Sequence, residues 1–411
     1  MAYNHHCHHL SQKLSFSAFH PNGNSSFTLP PRIPSSCPYR RFAVSVSSGG
    51  GEAAGVRFTW DDVSRVSNSP GYHSPDLQCF FDKVKLCNQK SESQNEFMPF
   101  VVENAIVGYV HNRFADKLRK FENVFVFPNG SSYGSCFECH VTLNPILQTP
   151  EDRTAAVDVV VRSLGEELIP GIRSELFPVT PSFDTPAFFS LERAAAPYFG
   201  IKAYGVHMNG YVEKSGQKFL WVGKRSDNKV TYPGMLDHLV AGGLPHGISC
   251  GENLVKECKE EAGIPRSLSI QATPVGAVSY SDIDGYRFKR DVLFCYDLKL
   301  PESFIPSNED GEVESFRLVS ISEVANIVMR TSYFKANCNL VIIDFLIRHG
   351  PKSCLITSSQ FFLGLPLPLL PPITVILSHL RTGASASRRL TWPNYFNLAS
   401  RNLSSTGAIP T

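Results

Sequence analysis

The chain has 411 residues, 42% of them hydrophobic and 18% charged, with a formal net charge of +2. That length accommodates two or three domains and that composition supports real cores, which excludes a disordered chain and a small disulfide scaffold. The near-neutral total is uneven, because all 37 acids lie between residues 52 and 344 while ten of the 39 Lys and Arg lie outside that segment; the acidic centre excludes the basic surface that nucleic-acid binding needs.

Residues 1–55 read as a chloroplast transit peptide. They are Ser-rich, carry Lys13, Arg32, Arg40 and Arg41, hold no acid before Glu52, and lack the apolar stretch of a secretion signal. Ser47-Ser48-Gly49-Gly50-Gly51 suits a flexible junction. The run His5-His6-Cys7-His8-His9 has metal-binding chemistry, although a removable leader is the simpler account. The 11 cysteines show no framework spacing, which fits reduced thiols.

Residues 56–199 predict a smaller mixed α/β domain, opened by Trp60-Asp61-Asp62-Val63. Val101-Val102, Ile106–Val110 and Val124–Phe127 suit short strands, the last closed by an Asn129-Gly130 turn. Thr149-Pro150-Glu151-Asp152 starts a helix that runs through Val157, Val160 and Val161 towards Leu164, with Asp158 and Arg162 outside. Asp184-Thr185-Pro186 predicts another helix, ending near Tyr198. Cys136-Phe137-Glu138-Cys139-His140 matches a haem-attachment or redox pattern formally. A strand there would turn the two cysteines to opposite faces, which disfavours both.

Residues 200–349 predict a second domain. Tyr204–Val212 and Phe219–Lys224 read as a hairpin, followed by a Gly-rich loop and a charged helix. Strands follow at Thr273–Tyr280, Phe288–Leu298 and Phe316–Val319. Ser322-Glu323 suggests a cap, and Leu340–Arg348 a last helix. This order predicts an α/β/α sandwich around a mixed sheet. Residues 350–411 hold no acid, lack periodicity, and are expected to be a disordered, atypical tail. Phe361–Ser378 is nearly all apolar, but Pro366, Pro368, Pro371 and Pro372 oppose a membrane span.

The informative stretch runs from Ala241 to Ile264. Ser249 and Glu252 fit a capping box, and Gly263 a C-terminal stop. Glu257, Glu260 and Glu261 then share one arc of about 100° on the helix. Three carboxylates there repel one another and oppose the helix dipole, unless a divalent cation reverses both costs. A solvated face with Lys256 and Lys259 as partners is the simpler alternative.

These residues resemble the Nudix hydrolase box, Gly-x5-Glu-x7-Arg-Glu-U-x-Glu-Glu-x-Gly-U with U apolar. Gly242 falls on its leading glycine, and Glu257, Cys258, Glu260, Glu261, Gly263 and Ile264 on its second half. Ile248 replaces the first Glu, and Lys256 replaces an Arg whose bidentate contact a lysine cannot make. With Pro233–Gly243 and the upstream region, residues 56–349 resemble a plant plastid branch of that family, related to thiamine pyrophosphokinase-associated Nudix proteins.

The resemblance implies Mg²⁺- or Mn²⁺-dependent hydrolysis of a small-molecule diphosphate, with Glu257, Glu260, Glu261 and Lys256 catalytic. The same three glutamates would hold the metal, with Glu312 as a further ligand; Glu261, Glu312 and Glu314 remain open as general base. Gly242, Gly243, Arg287, Arg290, Lys224 and Arg225 are the expected substrate contacts, with Lys289 beside them. Trp221, Tyr280 and Phe288 are stacking candidates, although core packing suits them as well. The substrate is a nucleoside diphosphate derivative, oxidised thiamine diphosphate or an 8-oxo-guanine deoxynucleotide; a non-catalytic diphosphate binder is the other reading. The sequence leaves the oligomeric state open.

Overall fold

The computed structural model describes residues 57–68, 78–128, 139–183, 185–229 and 231–349. The expected transit peptide, the tail 350–411, the Asn129-Gly130 turn, Cys136 and the Asp184 cap lie outside the described residues.

The first region begins with two helices, α1 (Trp60–Ser67) and α2 (Gln78–Leu86). Thr59 and Asp62 close a capping box that starts α1. Strands β1 (Phe97–Val102) and β2 (Ala105–His111) pair antiparallel. Helix α3 (Asn112–Leu118), β3 (Phe125–Val126) and β4 (Val141–Leu143) follow, completing a sheet of order β2-β1-β4-β3. Helix α4 (Pro150–Leu168) starts at the Thr149 capping box, with Pro in its first turn. It buries Val157, Val160 and Val161, and Asp158 pairs with Arg162 at 2.7 Å.

The helix expected from Thr185 onwards is absent. Its residues instead form strand β6 (Phe189–Glu192), paired with β5 (Leu176–Val179), and helix returns with a 3₁₀ turn at Arg193–Ala195 and α5 (Ala196–Phe199). All four residues of β6 are buried. A segment buried on every side gains more from pairing than from a one-sided helix, so tertiary context overrides the local start signal.

The second region is a seven-stranded mixed sheet. Its strands are β7 (Lys202–Lys214), β8 (Gln217–Arg225), β9 (Leu236–Asp237), β10 (Val240–Gly243), β11 (Thr273–Asp284), β12 (Arg287–Lys299) and β13 (Val313–Ser320). The path is β11-β12-β7-β8-β13, with β10 on β7 and β9 on β8. Only β7 and β12 run parallel. Helices α6 (Cys250–Ala262) and α7 (Arg266–Ser269) cover one face, where Leu254, Cys258 and Ala262 pack with Val206 and Phe294. Helices α8 (Ile321–Arg330) and α9 (Ala336–His349) cover the other. This is the expected α/β/α sandwich. The cap of α8 is Ser320, boxed with Glu323, rather than Ser322. Helix α9 starts before Leu340, because its polar first turn (Asn337, Asn339) masks the helix from an apolar-period reading.

Helices α1 and α2 pack with α8 and α9. Val63, Val66, Phe80 and Val84 share a core with Val324, Val328 and Phe345. Trp60 Nε1 donates to Ser315 Oγ at 2.9 Å. A second seam joins the upstream sheet to the start of β7. A Cβ on Gly108 would stand 2.2 Å from the Phe199 carbonyl oxygen, and one on Gly200 2.3 Å from that of Tyr109. Gly200 also has φ 56°, the left-handed cap of α5.

Strand β7 pairs with β10 through residues 205–208 and with β8 through residues 211–214. The two partners part at Asn209 and Gly210, so the sheet splits there beneath α6. Among the described residues, no helix is long and apolar enough to cross a membrane.

Candidate active site

Helix α6 carries the acids, and its ends are fixed locally. Ser249 Oγ accepts from Glu252 N–H and donates to Glu252 Oε2 at 2.7 Å. Glu252 is therefore tied to the helix start and does not replace the missing first glutamate. Ile248, at that position, packs against the apolar core. Gly263 ends the helix with φ 61°.

The three glutamates face different surroundings. Glu261 is buried, and its Oε2 accepts the Ala241 N–H at 2.8 Å. Glu257 is largely buried, whereas Glu260 is 43% exposed. Lys256 Nζ lies 2.7 Å from Glu260 Oε2 and 3.4 Å from Glu257 Oε1. One ammonium thus spans both carboxylates where the family pattern has a guanidinium.

Burial pushes the Glu261 carboxyl well above the usual range. The Ala241 N–H opposes this, and repulsion from Glu257, Asp237 and Glu312 adds to it. Burial also raises Glu257, with Lys256 opposing and Glu260 and Glu175 adding. Buried carboxylates that repel one another fit a hard divalent cation, which takes oxygen ligands and relieves both penalties.

The loop before α6 is pressed against this acid group. A Cβ on Gly242 would stand 2.3 Å from Glu257 Cδ. One on Gly243 would stand 2.9 Å from Phe177 Cζ and 3.1 Å from Arg193 Cζ. Both glycines line a cleft of about 270 Å³ walled by the two regions together. Arg173, Phe177, Arg193 and Tyr198 contribute from upstream, and Arg287, Lys289, Arg290 and Lys335 from downstream. Arg193 pairs with Glu175 at 2.7 Å and lies over the Phe177 ring. Arg290 donates to the Gly200 carbonyl at 3.1 Å and lies 4.8 Å over the Tyr109 ring. Arg287 pairs with Asp284 at the hairpin turn.

The other expected contacts are placed elsewhere. Arg225 is buried on Asp237 at 2.7 Å and on the carbonyls of Tyr232 and Thr231. Its guanidinium holds the sheet together, so it is not a wall of the cleft. Lys224 lies outside the cleft too, paired with Glu314 at 2.6 Å. Glu312 pairs with Lys229 and stays near enough to Glu261 to repel it. Among the aromatic candidates, Trp221 packs under α6, Tyr280 donates to Asp291, and Phe288 packs on Phe97. None lines the cleft. Its aromatic wall is Phe177, Tyr198 and the buried Tyr204, which carry no motif. Glu175, Arg193 and Asp237 were equally invisible in the sequence, because only tertiary contact brings them to the acids.

Comparison with known proteins adds identity to this geometry. The NUDIX domain family matches residues 204–338. The family described as Domain of unknown function (DUF4743) matches residues 79–203. Nudix hydrolase 20, chloroplastic, of Arabidopsis thaliana is 64% identical over 294 residues, covering 71% of this chain and 78% of its own. Nudix hydrolase 24, chloroplastic, of the same plant is 61% identical over 297 residues, covering 71% and 79%. Uncharacterized protein YJR142W of Saccharomyces cerevisiae is 46% identical over 176 residues, covering 39% and 51%.

Proposed function

Because the chain belongs to the Nudix hydrolase family, hydrolases acting on diphosphate bonds, we propose that it cleaves the diphosphate of a nucleoside diphosphate derivative or of oxidised thiamine diphosphate, releasing a monophosphate. The observation that supports this reading best is the contact of Gly242 with the Glu257 carboxyl at the edge of a cation-lined cleft. It sets an acid group beside a wall suited to a diphosphate.

Hydrolases of this family work with a divalent cation, and Glu257, Glu260 and Glu261 would hold Mg²⁺ or Mn²⁺ here, with Glu312 as the further acid. When bound, the cation supplies charge neutralisation at the diphosphate oxygens. Lys256 keeps Glu257 and Glu260 together. Glu261, oriented by the Ala241 N–H, takes the proton from the attacking water. Arg290, Lys289 and Arg287 on one side and Arg193 on the other hold the phosphates, and Gly242 and Gly243 let them approach the backbone. Phe177 and Tyr198 receive the ring of the group attached to the diphosphate. Residues 56–199 thus serve as the substrate wall of the catalytic domain 200–349. Both plant relatives are named chloroplastic, and the leader composition agrees, which places this enzyme in the chloroplast.

The test is cleavage by the full chain with Mg²⁺ on oxidised and intact thiamine diphosphate, 8-oxo-guanine deoxynucleoside di- and triphosphates, ADP-ribose and NADH. Glu260→Gln serves as the blank, with turnover expected to fall on the order of 10²–10³-fold and the fold retained. Unchanged turnover in that variant would remove the glutamates from the mechanism. Binding without turnover on every substrate would favour the non-catalytic reading instead.

A further inference from the structure

At the cleft floor, where His207 is one of the lining residues, lies a polar group that the hydrolysis above does not use. His207 on β7 and His238 in the link between β9 and β10 are 4% and 5% exposed, and Cys338 in the first turn of α9 is fully buried. Their ligand atoms all lie within 4.8 Å of one another. The two imidazoles meet edge to face, with centroids 5.1 Å apart. His207 Nδ1 and His238 Nε2 are buried with no hydrogen-bond partner. Cys338 Sγ donates to Asp237 Oδ1 at 2.7 Å.

We propose that His207, His238 and Cys338 bind one zinc ion, at a site separate from the glutamate cluster of α6. Two imidazole nitrogens and one thiolate form a borderline-soft donor set, which suits tetrahedral Zn²⁺ and not a hard, oxygen-seeking cation. His207 Nδ1 and His238 Nε2, buried and without a partner, are placed to offer lone pairs to a metal. Unpartnered buried nitrogens are rare in folded chains, and a metal answers both at once. Binding forms two N–Zn bonds and one S–Zn bond, and the thiol proton of Cys338 leaves to solvent. No electron is transferred. Asp237 offers a further oxygen at the same place. Arg225 and Lys335 already pair with it, at 2.7 and 3.6 Å, so the new positive charge is met chiefly by the thiolate.

The three ligands come from the split in the sheet and from α9. His207 lies opposite Ala241 in the β7–β10 register, and Ala241 holds Glu261. Zinc would therefore pin the last helix to the floor on which the catalytic glutamate rests. Its role is structural: it ties β7, the β9–β10 link and α9 together.

The experiment uses the full chain with His5, His6, Cys7, His8 and His9 changed to alanine and Cys136 and Cys139 changed to serine, which removes the two other His/Cys runs. Elemental mass spectrometry after purification without metal-affinity resin should find about one zinc per chain. Replacing zinc by cobalt should give a sulfur-to-cobalt charge-transfer band. Adding zinc to the metal-free chain should raise its Tm. Cys338→Ser should lose the band, and His238→Gln should weaken zinc binding at least about 100-fold. Glu257→Gln/Glu260→Gln should keep the zinc, which separates this site from the hydrolytic one. A chain with no zinc, no cobalt band and no Tm rise overturns the proposal without any variant having to fold. Zinc retained by the Cys338→Ser/His238→Gln pair, or lost with the glutamates, overturns it equally.

Discussion

Gly242 is held to glycine by its neighbour and not by its backbone angles. The atom that a Cβ would strike belongs to the flexible Glu257 side chain, so Gly242→Ala should displace the carboxyl and leave the strand in place. Turnover should fall about 10²-fold, as for a misplacement of about 1 Å, while the Tm stays near that of the parent. Steady-state kinetics with a thermal melt checks this, and a large Tm loss would count against it. The residues of α6 were legible in the sequence because a helix writes its face into a fixed spacing. The setting of Arg225 was hidden for the opposite reason. A lysine-arginine pair at a strand end looks the same whether it meets solvent, phosphate or a buried aspartate, and only the fold brings Asp237 to it. Lys256 departs from the family pattern, yet its i,i+4 reach to Glu260 supplies part of what the arginine would have given.

At the scale of elements, β2 meets the end of α5 through a close backbone approach at Gly108 and Gly200. Gly108→Ala would set a methyl against main-chain atoms of Phe199 and Gly200, which cannot turn aside as a side chain can. A loss of about 1–3 kcal/mol is expected from urea melts. Helix α9 is anchored differently. Asp297 on β12 takes Arg348 and His349. Burial raises its carboxyl, but the hydrogen bonds from His349 and Arg348 and the charge of Arg348 outweigh this and hold it below 3.8. The folded chain therefore binds this proton less readily than the unfolded one. The anchor is at full strength above pH 3.8 and is lost as pH falls through the lowered value. Asp297→Asn should cost about 3 kcal/mol at pH 7, and the gap to the parent should close as the pH falls below 3.8. Equal stabilities at pH 7 would refute the anchor. Strands and helices with a regular period were legible from sequence. The missing helix after Thr185 was not, since a cap signal cannot report that the next residues are enclosed on all sides.

The whole molecule is less divided than its chain order suggests. Alternating strands and helices foretold the sandwich, but nothing local announced that α1 and α2 would back α8 and α9. Deleting residues 1–77 removes α1 and uncovers the core around Val324 and Val328. The loss of Val63 and Val66 burial alone should cost on the order of 3 kcal/mol, read as a lower Tm in differential scanning fluorimetry; an unchanged Tm would make α1 an ornament. The cleft has the same shared character: Phe177 on β5, Tyr198 on α5 and the flanking Arg173 and Arg193 face Arg287, Lys289 and Arg290 of β12, and the acids of α6 stand beside it behind Gly242. Choice of substrate and the chemistry performed on it can therefore drift separately in evolution. A chimaera that exchanges residues 79–203 with those of a relative should inherit the donor's substrate ranking while keeping the recipient's metal requirement.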